Sequence, residues 1–161
     1  MYTPLFIKTD NSLLSSLIKV DDLILNLKKK NLTSCGVADD NLYGTMEIVS
    51  KFKKNGIKPV IGLDLKELVL YVKNKDGYYN LVRIETFKNK NELSFDVLKQ
   101  FSDGLICVCF NLDNYNKYKD IYNDIYIGVT NKSEEELYGD YDTVFFNKTL
   151  YLEIVTLYIY D

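Results

Sequence analysis

Strand-like apolar runs alternate with helix-like amphipathic stretches along this chain, and that alternation restricts the fold more than any single residue does. PLFIK is the first strand candidate. Val20, Leu23, Ile24 and Leu27 then recur at helical spacing, and Lys28, Lys29 and Lys30 place positive charge at the carbonyl end of that helix. SCGVA reads as a second strand, Tyr43 to Lys54 as a helix stopped by Asn55 and Gly56, and KPVIGLDL as a third strand. LVLYVK is a further strand, closed by a turn at Asp76 and Gly77. The spacing of Tyr78, Leu81 and Val82 predicts a helix that buries those residues and turns Arg83 and Glu85 to solvent. FDVLKQF is helical, Asp103 and Gly104 form a turn, and LICVCF is a buried strand. DNYNKYKDIYN reads as a helix, DIYIGV as a strand, SEEELYGDYD as an acidic helix or loop, and TVFF as a strand. The final LYLEIVTLYIYD fits helix or strand equally by periodicity.

Repeated units of this kind imply an α/β protein with a mainly parallel sheet, either open or closed as a barrel. At 161 residues, with no low-complexity linker and no internal repeat, one domain is expected.

Composition narrows the chemistry. The chain has no histidine, which excludes Ser-His-Asp and Cys-His devices and leaves any metal to carboxylates, carbonyls or thiolates. Cys35, Cys107 and Cys109 lie in apolar runs without paired spacing and read as core residues. A net charge of -3 argues against a surface devoted to gripping phosphate backbone. No apolar run is long enough to cross a bilayer and no leader pattern opens the sequence, so a cytoplasmic protein is expected.

There is no Walker loop or GxGxxG, and Gly44, Gly56 and Gly62 read as turn or cap residues. Glu134, Glu135, Glu136, Asp140 and Asp142 lack calcium-loop spacing and read as a solvated face. Asp39, Asp40 and Asp64 stand at or just beyond strand ends, where parallel sheets and barrels place their sites. Asp39 or Asp40 could equally cap the helix that begins near Asn41.

Read in order, IKTDNSLLSSLIKVDDLI, NLYGTMEIVSKFKKNGIKPVIGLDL, NKDGYYNLVRI, FSDGLICV and VFFNKTLYL resemble the N-terminal PHP domain of bacterial DNA polymerase III alpha subunits. The resemblance implies a distorted β/α barrel. In active members of that family, His, Asp, Glu and Cys side chains at one barrel face bind metals for phosphoester hydrolysis. Here the matching positions are Phe6, Lys8, Ala38, Asp39, Asp64, Glu67, Asn111, Lys148 and Leu150. Only Asp39, Asp64 and Glu67 retain much capacity for a hard cation. The expectation is therefore no catalytic residue, no cofactor and no metal in this region, with Lys8 and Lys148 pairing with Asp39 and Asp64 in place of metals. Asp40 is expected to be a turn or cap residue.

What the resemblance implies for function is a non-catalytic structural or interaction domain, spanning 1–161 as the N-terminal part of a longer polymerase. That parent chain would use Mg and act on DNA. Its polymerase core, and other replisome proteins, are the expected partners. The alternatives are a metal-dependent phosphoesterase or proofreading hydrolase with a reduced carboxylate site, and a free-standing interaction module.

Overall fold

The computed structural model describes residues 2–150. The chain forms two compact units, one made of residues up to Ile61 with those from Asn147, the other of Gly62–Phe146.

In the first unit, helix α1 (Val20–Lys29) starts with Asp21 and Asp22 and ends with Lys28 and Lys29, both favourable to its dipole. It buries Val20, Leu23, Ile24 and Leu27, as the spacing predicts. Strand β1 (Ser34–Asp39) is buried from Cys35 onward, and helix α2 (Thr45–Lys54) packs Ile48 and Phe52 inward and lies against α1. After α2, Gly56 adopts φ +72° and reverses the chain into strand β2 (Lys58–Asp64).

The expected strand at PLFIK is reduced to one residue. Ile7 bridges Val37 on one side and Thr149 on the other, both in parallel. Pro4 has no N–H to give a ladder, and its carbonyl instead accepts from Gly36 at 2.7 Å. Gly36 permits this approach, since a Cβ there would collide with the Leu5 carbonyl.

In the second unit the strand order is β2, β3 (Leu68–Val72), β4 (Leu105–Cys109), β5 (Asp124–Val129) and β6 (Thr143–Phe145). β4, β5 and β6 are parallel, separated by helices α5 (Leu112–Tyr118) and α6 (Lys132–Leu137). One strand departs from that parallel pattern. β3 runs antiparallel to both β2 and β4, with Gly62 opposite Tyr71 and Leu70 opposite Cys107. The β2 to β3 connection is a tight turn, far too short for the crossover that parallel neighbours need.

Helices α3 (Lys75–Asn89) and α4 (Phe95–Gln100) connect β3 to β4. Asp76 and Gly77 are not a turn. They lie in the first turn of α3, which Asn74 caps by accepting from the Gly77 N–H at 2.9 Å. Gly77 is required because a Cβ there would strike the Gly104 carbonyl, and Gly104 itself, at φ +70°, makes the expected turn. The buried face of α3 is Gly77, Leu81, Ile84 and Glu85, so Glu85 faces inward and Val82 outward, opposite to expectation. The buried stripe passes through Gly77, Leu81 and Ile84, at i, i+4 and i+7, rather than through Tyr78, Leu81 and Val82. Gly62, read as a turn residue, lies inside β2 instead.

All three cysteines are buried and free. Asn131 caps α6, and Glu134 accepts from the Thr130 N–H and hydroxyl, which binds part of the acidic run into local structure. Of the ambiguous C-terminal stretch, residues 151–161 lie outside the described residues. The architecture is mixed α/β, consistent with the distorted β/α barrel that the resemblance implies.

Candidate functional site

In the first unit the positions of interest gather around the end of β1 and the loop that follows Ile7. Asp39 is 3% exposed, and its carboxylate accepts three hydrogen bonds from uncharged donors. These are the Thr9 N–H at 2.7 Å, the Thr9 hydroxyl at 2.6 Å and the Ser12 hydroxyl at 2.7 Å. A buried carboxylate so supplied is stable without a cation, because its lone pairs have exchanged water for protein donors.

Lys8 is 2% exposed, and its ammonium pairs with Asp40. The partner is thus the neighbour of the carboxylate expected. Asp40 is not a helix cap, since the N-cap of α2 is Gly44 with no side-chain cap; it stands in the bend that follows β1. The Asp40 N–H donates to Ser12 Oγ at 3.0 Å, and Ser15 Oγ donates to its carboxylate at 3.4 Å. Ser16 Oγ lies 2.7 Å from the Lys8 carbonyl and 3.1 Å from that of Leu150, and accepts from the Ile18 N–H. Phe6 and Ala38 are buried and offer no donor atom, while Lys148 lies over the Phe6 ring, 5.4 Å from its centre.

In the second unit, Asp64 ends β2 buried, and one of its oxygens accepts from the Lys66 N–H at 2.8 Å. It thereby fastens a turn in which Lys66 sits at φ +72°. Glu67, more than half exposed, accepts from the Lys117 ammonium and the Tyr118 hydroxyl, each at 2.8 Å. The Lys117 bond first, and the Tyr118 bond second, hold its carboxyl below the usual range. The Glu67 carboxylate in turn pushes the Lys117 ammonium upward. Beside this pair lies a groove of about 320 Å³ with Leu68, Leu98, Phe95 and Tyr118 on its walls. Asn111 caps α5, accepting from the Asn114 N–H at 2.9 Å.

Among the described residues, no three His, Cys, Asp or Glu side chains assemble into a group that could hold a metal ion. Cys107 and Cys109, two apart on β4, bring their sulfurs to 3.7 Å, and this contact together with burial pushes the Cys107 thiol up, away from a reactive thiolate.

The model of the family described as the PHP domain matches residues 5–156. The chain belongs to the PHP domain family. This PHP domain is 30% identical over 154 residues to the DNA polymerase III subunit alpha of Borreliella burgdorferi, covering 75% of this chain and 13% of that protein. It is 32% identical over 138 residues to the subunit of the same name from Streptococcus pyogenes serotype M3, covering 80% and 13%. With that of Campylobacter jejuni it shares 30% identity over 129 residues, covering 66% and 11%. The PHP domain therefore spans only a small part of the length of the curated relatives it matches.

Of the nine predicted positions in this PHP domain, Lys8 and Asp39 join one polar cluster, Asp64 and Glu67 bracket one turn, and Asn111 begins a helix. Leu150 contributes its backbone carbonyl to Ser16. Sequence reasoning missed Thr9, Ser15, Ser16, Lys117 and Tyr118, the partners that occupy these positions. Three serines crowded between Asp10 and Leu17 were the available signal, since hydroxyls at such density serve as donors to buried acceptors. Among the described residues no helix is long and apolar enough to cross a membrane.

Proposed function

We propose that this PHP domain is a non-catalytic structural or interaction domain, a single domain forming the N-terminal part of a DNA polymerase III alpha-type enzyme. The supporting observation is the pairing of the buried Lys8 ammonium with the partly exposed Asp40, beside an Asp39 carboxylate that accepts three hydrogen bonds. A multinuclear metal centre needs several deprotonated ligands facing a shared cation. Here Phe6, Ala38 and Leu150 offer no side-chain ligand, and the buried ammonium of Lys8 supplies positive charge itself. The residues present do not fit such a centre.

In this reading the parent enzyme carries out templated nucleotidyl transfer on DNA with Mg, in the cytoplasm. Its polymerase core and other replisome proteins are the domain's partners. The carboxylates serve to hold the domain together. The test is hydrolysis of phosphomonoester and single-stranded DNA substrates with Mn²⁺ or Mg²⁺ supplied. No turnover above background is expected, and wild type should match an Asp64→Ala variant. Metal-dependent turnover that Asp64→Ala abolishes would favour the hydrolase.

A further inference from the structure

The charge of this PHP domain is unevenly placed. Residues 23–38 and 48–63 carry seven lysines and no Asp, Glu or Arg, in a chain whose net charge is -3. Folding brings the two segments together. Helices α1 and α2 lie side by side, and the Lys28 ammonium in the last turn of α1 donates at 2.7 Å to Asn55 Oδ1, at the C-cap of α2. The Lys58 N–H bonds to the Thr33 carbonyl at 2.8 Å, which sets the start of β2 beside the chain leaving α1. Lys28 and Lys29 from one helix end, Lys53 and Lys54 from the other, and Lys58 from the strand are all exposed.

Two ordinary uses of a surface lysine do not account for this face. A helix C-terminus carries about half a negative charge, so a single lysine at each end would answer it. Five lysines exceed that need. Nor are these ammonium groups engaged by carboxylates. Among the described residues Lys51 is taken by Asp21 and Glu47, each at 2.8 Å, whereas none of the five exposed lysines enters a salt bridge. Lys30 is half-buried with its ammonium away from water, so it is no part of the contact surface. Like charges crowded on one side of a domain repel one another, and a line of phosphates relieves that repulsion.

We propose that this face, Lys28, Lys29, Lys53, Lys54 and Lys58, binds the phosphate backbone of duplex DNA. This rests on the reading of the domain's function given above. Charge complementarity selects a polyanion, and duplex DNA presents one negative charge per roughly 1.7 Å of its axis. An anionic membrane fits less well, because it favours large apolar side chains among the lysines. Leu25 stands exposed a turn earlier on α1, but no large apolar side chain is exposed from Lys28 to Thr33 or from Lys53 to Lys58. Asn31 and Thr33 are exposed there instead and add hydrogen-bond donors. The five ammonium groups are point charges on flexible stems, without the forked guanidinium that reads base edges, so the contact is independent of DNA sequence.

The experiment measures binding of the full polypeptide to a fluorescent primer–template duplex across a salt series. The face variant combines Lys28→Gln, Lys29→Gln, Lys53→Gln, Lys54→Gln and Lys58→Gln. A control variant removes as many exposed lysines elsewhere, through Lys75→Gln, Lys90→Gln, Lys99→Gln, Lys119→Gln and Lys132→Gln. The face variant is expected to bind at least about tenfold more weakly at about 0.1 M salt, with the slope of log Kd against log salt reduced by about three or more. Lys→Arg at the same five positions should restore both, which separates lost charge from lost folding, and the control should change the slope by less than about one. Equal loss in the control, or unchanged affinity and slope in the face variant, overturns the assignment of this face. Binding to phosphatidylserine vesicles that the face variant loses, while its DNA binding stays intact, overturns it too. In those cases DNA binding by the wild type leaves the functional reading standing. Wild-type polypeptide that neither binds nor extends the duplex overturns that reading together with the face.

Discussion

Asp39 and Glu67 both stand where the family resemblance expects metal ligands, yet the two regions hold their carboxylates in different ways. Asp39 is buried under three donors from uncharged groups, next to a buried Lys8 ammonium that pairs with the partly exposed Asp40. Glu67 lies on an open groove and is held by the long side chain of Lys117 and the hydroxyl of Tyr118. A carboxylate is kept in the interior at low cost only when both its oxygens find donors, whereas at the surface water completes whatever the protein leaves unmade. The first region should therefore govern stability and the second should be nearly dispensable.

The largest effect is expected from Asp39→Ala, which orphans the Thr9 N–H and two hydroxyls and should cost about 3 kcal/mol in urea unfolding. A loss under about 1 kcal/mol would mean that the three donors find other partners with ease. Next comes Asp40→Ala. It removes a partner of a buried ammonium, but the Asp40 side chain is 39% exposed, so the cost is discounted to about 2 kcal/mol, with little dependence on salt.

Leu14→Gly should act in the other direction and raise stability by about 1 kcal/mol, since glycine adopts φ +62° without the steric penalty of a leucine. An unchanged or lower midpoint would show that Leu14 contributes packing that its exposure does not suggest.

The smallest effect belongs to Glu67→Gln, about 0.5 kcal/mol after screening, and mostly lost at high salt. Its pH signature has a definite sign. The folded-state carboxyl is depressed, so its contribution is present above the unfolded value near 4.5 and vanishes as pH falls through the lower folded value. Wild type and Glu67→Gln should thus converge in acid and differ slightly at neutral pH. A larger gap in acid would reverse the assignment.

Much of the fold was legible because burial imposes periodicity: the α1 stripe and the apolar runs of β1, β2 and β4 follow directly from spacing. Strand direction was not legible from those runs. The antiparallel β3 depends on the length of one turn and on where α3 and α4 return the chain. Gly77 was misread as a turn residue because its reason, contact with Gly104, is distant in sequence. At the site, residue types were legible but partners were not. Nothing local to Lys8 distinguishes Asp40 from Asp39 as its partner. That choice is made by Thr9 and Ser12, which engage Asp39.

The central claim is that these positions hold the domain without a metal. The most direct measurement is thermal unfolding in excess EDTA against excess Mn²⁺, with bound metal quantified on the same samples. Coincident transitions, within about 1 °C, and no stoichiometric metal are predicted. A site filled at a hundredfold over its dissociation constant would instead raise the midpoint by about 5–10 °C. Such a rise, with one or more Mn²⁺ per chain and loss of both in Asp64→Ala, would contradict the claim.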